Sequence, residues 1–547
     1  MSELLLYYRR PEPTTWVYLS SFLTIGLYFV FHRFWSVRNL DIVLLILLAP
    51  GLLMVHEGQR REIKQRQAAV IDTSGGQPGD QPAADGSEAE NADLEDGGPE
   101  TEITGSASVE LTDSRAETAS VAGTETAADE TTVDPSATES GDATATAATP
   151  DALVATQAET IDIDPADIDS VATDATTFSW ITLKRSGFIW LFVIEACILV
   201  RLLLDPLMVR RPLLDPNLTT GGLNFIGISL FVFMMANVVT STPQIQQEQG
   251  PKLGPGYALI NMLPAIPTRP VSESVGGDMP RTISELTPRQ QRVATIAKVL
   301  AILAQLSIVV AIVMIGKRHF GNLCAGTGCA LLYLLVPYTA QMTGRVDHAV
   351  PAALLLWAIL TYRKPMIAGI FLGLAAGLVY YPLFLLPLWF SFYWQRGARR
   401  FGAGVASMLV MLMLLLALGG SDTFGGRLQQ MFGLWLPTQA DPRGVWELGW
   451  NPVWRLPVIV GFVILSVFLA IWPAQKNLGT LISCTAAVMV ASQFWHGYGG
   501  GMYLAWFLPM LLLTIFRPNL QDRVALKVIS PRSRLVDAAS RLTASAA

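Results

Sequence analysis

The chain lacks most of the features that mark a soluble, nucleotide-using enzyme. Charged residues make up only 15% of its 547 residues, against about a quarter in soluble domains. It contains no glycine-rich dinucleotide fingerprint, phosphate loop, paired-histidine zinc motif or nucleophile elbow. We therefore expect neither a bound nucleotide cofactor nor a nucleic-acid partner.

Cysteine is also scarce. The four cysteines, Cys197, Cys324, Cys329 and Cys484, all lie within apolar runs and form no Cys-x-x-Cys or Cys/His group. Buried thiols explain this placement better than disulfides or metal ligands, because free cysteine is among the most buried residue types. We predict no metal site from these residues, although a metal requirement stays open.

What the chain has in quantity is apolar sequence. Hydrophobic residues make up 51% of it and the mean hydropathy is +0.41. Its apolar runs predict membrane-spanning helices, since hydrocarbon forces each backbone polar group to be satisfied within its own helix. We predict an all-α, multi-pass integral protein of the cell membrane with about 11–12 spans. The candidate spans outside the central block 316–394 are about 16–31, 40–56, 187–204, 222–240, 294–316, 402–419, 456–473, 478–494 and 500–516.

A long acidic segment interrupts the apolar runs. Residues 71–178 hold 26 Asp and Glu against one basic residue, Arg115, and almost no aromatic residues. Such a composition cannot bury enough apolar surface to offset the entropy of ordering, so a disordered linker is predicted. The remaining sequence has 37 basic and 18 acidic residues. This excess suits anionic membrane lipid or a lipid-phosphate ligand, although basic cytoplasmic loops alone would also produce it.

These features divide the chain into four predicted parts. They are an N-terminal two-span segment (1–69), the acidic linker (70–178), a polytopic membrane domain (179–516) and a basic tail (517–547). The positive-inside rule predicts that the tail is cytoplasmic.

The central block resembles a known family. It has a basic cluster (317–319), a helix rich in small residues that ends at Pro337, a short loop with Asp347, a second basic cluster (362–364) and a break at Tyr380-Tyr381-Pro382. This order is similar to the middle of polytopic GT-C glycosyltransferases, above all the mannosyltransferases that use polyprenol-phosphate-mannose. The resemblance covers about residues 222–516.

The resemblance implies transfer of a hexose, mannose for the nearest likeness, from a polyprenyl-phosphate carrier to an extracytoplasmic acceptor. It further implies inversion at the anomeric carbon by a single displacement with a carboxylate base. A membrane-resident donor fits the absence of a nucleotide motif, so the expected partners are membrane lipid and the lipid-linked sugar. Two rival hypotheses are a transporter or flippase with polar residues along its path, and a membrane scaffold.

Asp347 is the candidate catalytic base, because a carboxylate at a membrane boundary can accept the proton of an attacking hydroxyl. Its neighbours Arg345 and His348 are candidate ligands of the lipid phosphate. Alternatively, Asp347 caps the helix that follows and Arg345 only neutralises it. GT-C enzymes usually carry the acid in the first large extracytoplasmic loop, predicted here at 241–293, so an acid of that loop is a second candidate.

Three further residues are candidate substrate contacts. Tyr380 and Tyr381 lie at the break and can stack on a sugar, or act as interfacial anchors. His496, which precedes a glycine-rich stretch, is a candidate contact for the phosphate or the acceptor; alternatively, this stretch is only a tight turn between two spans.

The geometry depends on residues 366–394. Two short helices that meet near Tyr381 place Asp347 on the extracytoplasmic side and the basic clusters inside, whereas one 29-residue helix reverses this. We favour the broken version, because a single helix of that length with Pro382 and Pro387 exceeds the usual span of about 17–25 residues.

Overall fold

The regular secondary structure of the described part of the chain is helical. The structure, a computed structural model, describes residues 13–75, 165–208, 214, 216–240, 288–395, 397–418, 444–474, 476–497 and 499–518. No β-strand occurs within these ranges, and the predicted all-α polytopic membrane fold is confirmed. The centre of the predicted acidic linker, most of loop 241–293 and nearly all of the basic tail lie outside the described residues.

The α-helices are numbered in chain order. They are α1 (Pro13–Tyr28), α2 (Val37–Gly75), α3 (Pro165–Leu204), α4 (Thr220–Thr240), α5 (Pro288–Ile315), α6 (Leu323–Leu335), α7 (Pro337–Gln341), α8 (Val346–Leu360), α9 (Pro365–Leu378), α10 (Leu386–Tyr393), α11 (Ala398–Leu418), α12 (Arg455–Ile471), α13 (Leu478–Gln493) and α14 (Leu508–Phe516).

Apolar helices of two lengths build the bundle. Five stretches are long and apolar enough to cross a membrane: Val37–Glu62, Trp180–Leu207, Thr220–Val239, Gln291–Phe320 and Ala398–Leu415. Six more apolar helices of the described chain have only 10–17 residues. A straight span needs about 20 residues, so the predicted spans are partly replaced by shorter helices.

Helices α2 and α3 reach into the limits predicted for the acidic segment, since α2 ends at Gly75 and α3 begins at Pro165. The two helices pack antiparallel. A side chain on Gly51 would meet Leu191, and Lys184 pairs with Glu62 at 3.1 Å. This antiparallel packing brings the N-terminal segment into the same bundle as the rest of the described chain.

The predicted break near Tyr381 is confirmed. Helix α9 ends at Leu378, a 3₁₀ turn covers Tyr381–Leu385, and α10 runs back to Tyr393. The Tyr393 hydroxyl donates to the Tyr362 carbonyl at 2.6 Å, just before α9 begins. The alternative of one 29-residue helix is therefore wrong, because the chain returns to the end from which it started.

Glycines set the contact between α9 and α11. A Cβ on Gly373 would lie 2.8 Å from the Val405 carbonyl oxygen, and a Cβ on Gly369 or Gly404 would lie even closer to the carbonyl oxygen of Phe401 or Met366. The two helix backbones are therefore in direct contact and run in parallel. Small residues at helix interfaces allow this approach in membranes, where packing drives association.

Basic residues gather at the end of the bundle where α9 begins. Two hydrogen bonds connect neighbouring segments at this end. One joins His319 Nε2 to the Leu360 carbonyl at 2.9 Å, and in the other the Ser391 hydroxyl donates to the Ala470 carbonyl. These contacts place the basic residues Lys317, Arg318, Arg363, Lys364 and Lys476 at one level. We call this level the basic end of the described bundle.

The helix contact predicts the effect of one substitution. Gly404→Leu should destabilise the protein, since overpacking costs about 1–3 kcal/mol. Gly461→Leu is the matched control, because a Cβ at exposed Gly461 meets nothing within 4 Å. Thermal unfolding in detergent should show a lower midpoint for Gly404→Leu only. Equal midpoints for the two variants would mean that α9 and α11 are not in backbone contact.

Candidate functional site

Five short helices end against one another inside the bundle. Helices α6, α8, α9, α13 and α14 have 13, 15, 14, 16 and 9 residues, or about 14–24 Å each. Helix α5 passes this level and continues from Gln305 back to Pro288, about 25 Å further. The opposing ends of the short helices therefore lie within the length of the bundle, away from the basic end.

Proline fixes how α8 joins this site. Pro351 lies inside α8 and has no N–H to donate to the Asp347 carbonyl one turn earlier. The Trp506 indole donates to that carbonyl instead, at 3.1 Å. An unpaired carbonyl is costly at membrane depth, so this bond ties the start of α8 to the segment before α14.

Five aromatic rings form a continuous column at these helix ends. His348 stacks on Tyr503 with centroids 4.3 Å apart, and Tyr503 lies 4.5 Å from His496. His496 stacks on Tyr381 at 4.7 Å, and Tyr381 stacks on Tyr380 at 4.2 Å. We call these five residues the ring column. It connects the start of α8 with the break after α9.

Arg345 and Asp347 form a bidentate ion pair at one end of the ring column. Arg345 Nε and Nη2 donate to Asp347 Oδ1 and Oδ2 at 3.0 and 2.9 Å. The Asp347 side chain is 1% exposed and that of Arg345 is 27% exposed. Helix α8 begins at Val346, so Asp347 lies in its first turn and is not the N-cap residue. The alternative was correct that Arg345 neutralises Asp347 and wrong about the cap.

His348 connects this ion pair to the Tyr338 hydroxyl. Its Nε2 lies 3.5 Å from Asp347 Oδ2, and its Nδ1 lies 2.5 Å from the Tyr338 hydroxyl. Which partner donates depends on the tautomer. The ring is buried between the carboxylate and the phenol, so it is held in one orientation.

Polar side chains satisfy the neighbouring backbone. The Tyr333 hydroxyl donates to Gln305 Oε1 at 2.9 Å, and Gln305 Nε2 donates to the Thr343 carbonyl at 3.4 Å. Gln493 Oε1 accepts from the Tyr503 N–H at 3.3 Å. Buried helix ends require such partners, because four carbonyls and four N–H groups are left without intrahelical bonds.

His496 lies between α13 and α14 and is fully buried. Burial, together with the positive charge of Arg455, holds the pKa of His496 well below its ordinary value. Arg455 is itself buried and donates to the Trp495 carbonyl at 3.0 Å. His496 is thus neutral in the folded protein near neutral pH.

All six residues singled out from the sequence belong to this one site: Arg345, Asp347, His348, Tyr380, Tyr381 and His496. Tyr381 is buried, with 1% of its surface exposed, whereas Tyr380 is half-buried. Sequence reasoning missed Tyr338 and Tyr503, which also belong to this site. Both lie at interruptions between apolar runs, which is a signal that could have identified them.

Other candidates lie elsewhere. The acids of loop 241–287 are outside the described residues. Asp205 is buried just after the C-terminal end of α3, where it pairs with Arg201 and Arg517. Glu447, in the 3₁₀ turn Gly444–Glu447, pairs with Lys184 at 3.3 Å. These ion pairs give Asp205 and Glu447 structural roles.

Comparison with known proteins gives no further assignment. No family model, curated protein or solved structure matches this chain. Within the described ranges, no group of three or more His, Cys, Asp and Glu side chains could hold a metal ion. The chemistry of the site must therefore be argued from its own residues.

The environment of His496 predicts a pH dependence. Unfolded histidine titrates near about 6.5, so below that pH the unfolded state binds a proton that folded His496 does not. The free energy of unfolding therefore keeps its full value above about pH 6.5 and decreases as the pH falls below it. Thermal midpoints measured at about pH 7.5 and 5.5 should drop more for the wild type than for His496→Gln. Identical drops would contradict the assignment.

Proposed function

We propose that the chain is a membrane glycosyltransferase that moves a hexose from a polyprenyl-phosphate carrier to an extracytoplasmic acceptor. The observation that carries this proposal is the bidentate Arg345–Asp347 pair, which joins the ring column where the short helices end. This site lies at the opposite ends of α8 and α9 from the basic residues. The cell membrane is the proposed location.

The position of the site suits a lipid-borne donor. We propose that the lipid phosphate and its sugar reach the ends of the short helices sideways from the membrane. A donor of this kind is already activated, so the enzyme needs no nucleotide-binding domain. Mannose is the proposed sugar, from the likeness to polyprenol-phosphate-mannose enzymes.

We propose that the ion pair opens during the reaction. Both Asp347 oxygens are bound to Arg345, and the carboxylate is buried. A phosphate is an alternative bidentate partner for a guanidinium group. Arg345 is partly exposed, so it can turn toward the donor phosphate and free the Asp347 carboxylate for the acceptor hydroxyl.

In the transfer step, the acceptor oxygen attacks the anomeric carbon as the bond from that carbon to the phosphate oxygen breaks. Asp347 takes the hydroxyl proton, and the leaving polyprenyl phosphate keeps the electron pair. Arg345 stabilises the charge that develops on the phosphate. His348 lies beside the carboxylate and positions it. The single displacement inverts the anomeric configuration.

The ring column is the proposed sugar-binding surface. Tyr380 is half-buried at one end of the column, and Tyr381 and His496 follow it inward. Aromatic faces offer a large apolar surface together with polar groups at their edges. The inner rings stack on one another, so the face of the terminal ring, Tyr380, is the one proposed to pack against the C–H face of a hexose. The inner rings hold Tyr380 in place, and the hydroxyls of the hexose remain available for hydrogen bonds.

Substitution of Asp347 tests the proposed base. Asp347→Asn removes the proton acceptor and keeps the shape, so transfer should fall by about 10²–10⁴-fold. The measurement is transfer from labelled polyprenyl-phosphate sugars in membrane fractions, normalised to folded protein.

The matched control is Asp41→Asn. Asp41 is also buried and bidentate with an arginine, Arg201, but it lies near the basic end. It should lower stability and leave transfer per folded molecule unchanged. Near wild-type transfer by Asp347→Asn would leave Asp347 with a structural role only.

A further inference from the structure

Glu195 is a buried acid that the proposed reaction does not use. It lies in the middle of the apolar stretch Trp180–Leu207 of α3, and its side chain is 0% exposed. Neither carboxyl oxygen has a hydrogen-bond partner among the residues that the structure describes. The other buried acids discussed above, Asp41, Asp205 and Asp347, are each paired with an arginine, whereas Glu195 is not.

A structural role does not account for this acid. A buried polar group without a partner is unfavourable, and an apolar side chain of similar size would suit the position better. Ionisable residues inside membrane helices ordinarily mark a binding site or pathway. The surroundings of Glu195 therefore indicate which ligand it serves.

Glu195 borders the turn that carries two rings of the column. A Cβ built on Gly501 would lie 3.9 Å from Glu195 Oε2 and 3.1 Å from Phe192 Cε1. Gly501 has φ +85° and lies two residues before Tyr503. Phe192, one turn before Glu195, packs on Phe494 with centroids 5.3 Å apart. The carboxyl group thus lies beside the turn between His496 and Tyr503.

Two indole N–H groups border the same turn. The Nε1 atoms of Trp446 and Trp495 are buried and have no hydrogen-bond partner within the described ranges. The ring centroids of Trp495 and Tyr381 are 4.9 Å apart. Gly444, two residues before Trp446, packs directly on Gly499 of the turn, because a Cβ on Gly444 would lie 2.7 Å from the Gly499 Cα. The residues that carry one unpartnered carboxyl group and two unpartnered indole N–H groups therefore lie near one turn.

We propose that Glu195 is a sugar-binding residue whose carboxyl group hydrogen-bonds the hydroxyls of the transferred hexose, with Trp446 and Trp495 as further donors. This inference rests on the proposed function and names the part of the donor that these groups bind. A hydroxyl both donates and accepts, so it satisfies a carboxyl group and an indole at once. A phosphate would be repelled by a carboxylate, and a metal ion would need further ligands.

The inference predicts opposite effects on stability and on binding. Glu195→Met replaces an unpartnered carboxyl group by an apolar side chain of similar length, so the thermal midpoint of the purified protein in detergent should stay equal or rise. The affinity for polyprenyl-phosphate mannose should fall by about tenfold or more. The affinity for polyprenyl phosphate without a sugar should not change. Glu195→Gln is the second variant, and Glu57→Gln, at a surface ion pair, is the control.

The outcomes separate this inference from the function on which it rests. If neither lipid binds the wild type, and a panel of other polyprenyl-phosphate hexoses also fails, the proposed function and this inference are both overturned. If the wild type prefers the sugar-bearing lipid and both Glu195 variants keep that preference, only the role of Glu195 is overturned. A midpoint several degrees lower for Glu195→Met would reveal a structural partner and also overturn it.

Discussion

The architecture depends on the need to satisfy helix ends at membrane depth. Five helices stop short of a full span, and in hydrocarbon every backbone group that they leave unpaired must find another partner. The partners are side chains of neighbouring segments, such as Trp506 on the Asp347 carbonyl and Gln305 on the Thr343 carbonyl. Short helices therefore oblige the sequence to place polar and aromatic residues at one level inside an apolar bundle.

That obligation also supplies the chemistry of the site. Residues that satisfy helix ends are polar, rigidly held and shielded from water, and these are the conditions under which charges and hydrogen bonds act strongly. The Arg345–Asp347 pair illustrates both roles, since it neutralises the first turn of α8 and holds the proposed base. Glu195 has no comparable structural role, because nothing in the described structure pairs with its carboxyl group.

The sequence was informative where a local signal reports a tertiary feature. Apolar run lengths predicted the helical membrane fold, and Pro382 beside two tyrosines predicted the reversal after α9. The charged motif at 345–348 and His496 pointed to the site, because charges and histidines are conspicuous within apolar sequence. Run length was a poor guide to span length: the run at 500–516 predicted one span, whereas the structure has a 3₁₀ turn and a nine-residue helix.

The sequence could not predict how deeply each polar side chain is buried or which side chains it contacts. Arg201, four residues before Asp205, is a local signal for one partner of that acid, but Arg517 lies 312 residues away. That Glu195 has no partner in the described structure has no local signal at all. The stacking of Tyr503 between His348 and His496 likewise depends on contacts between segments about 150 residues apart. Such pairings are set by packing, and periodicity or composition does not encode them locally.

The reversal after α9 is the central claim, and sidedness tests it most directly. Single cysteines at Lys364, Arg399 and Trp450, all exposed, can be placed in a variant without the four native cysteines and labelled with a membrane-impermeant maleimide. The account predicts that Lys364→Cys and Arg399→Cys react from one side of the membrane and Trp450→Cys from the other. Labelling of Lys364→Cys and Arg399→Cys from opposite sides would contradict it.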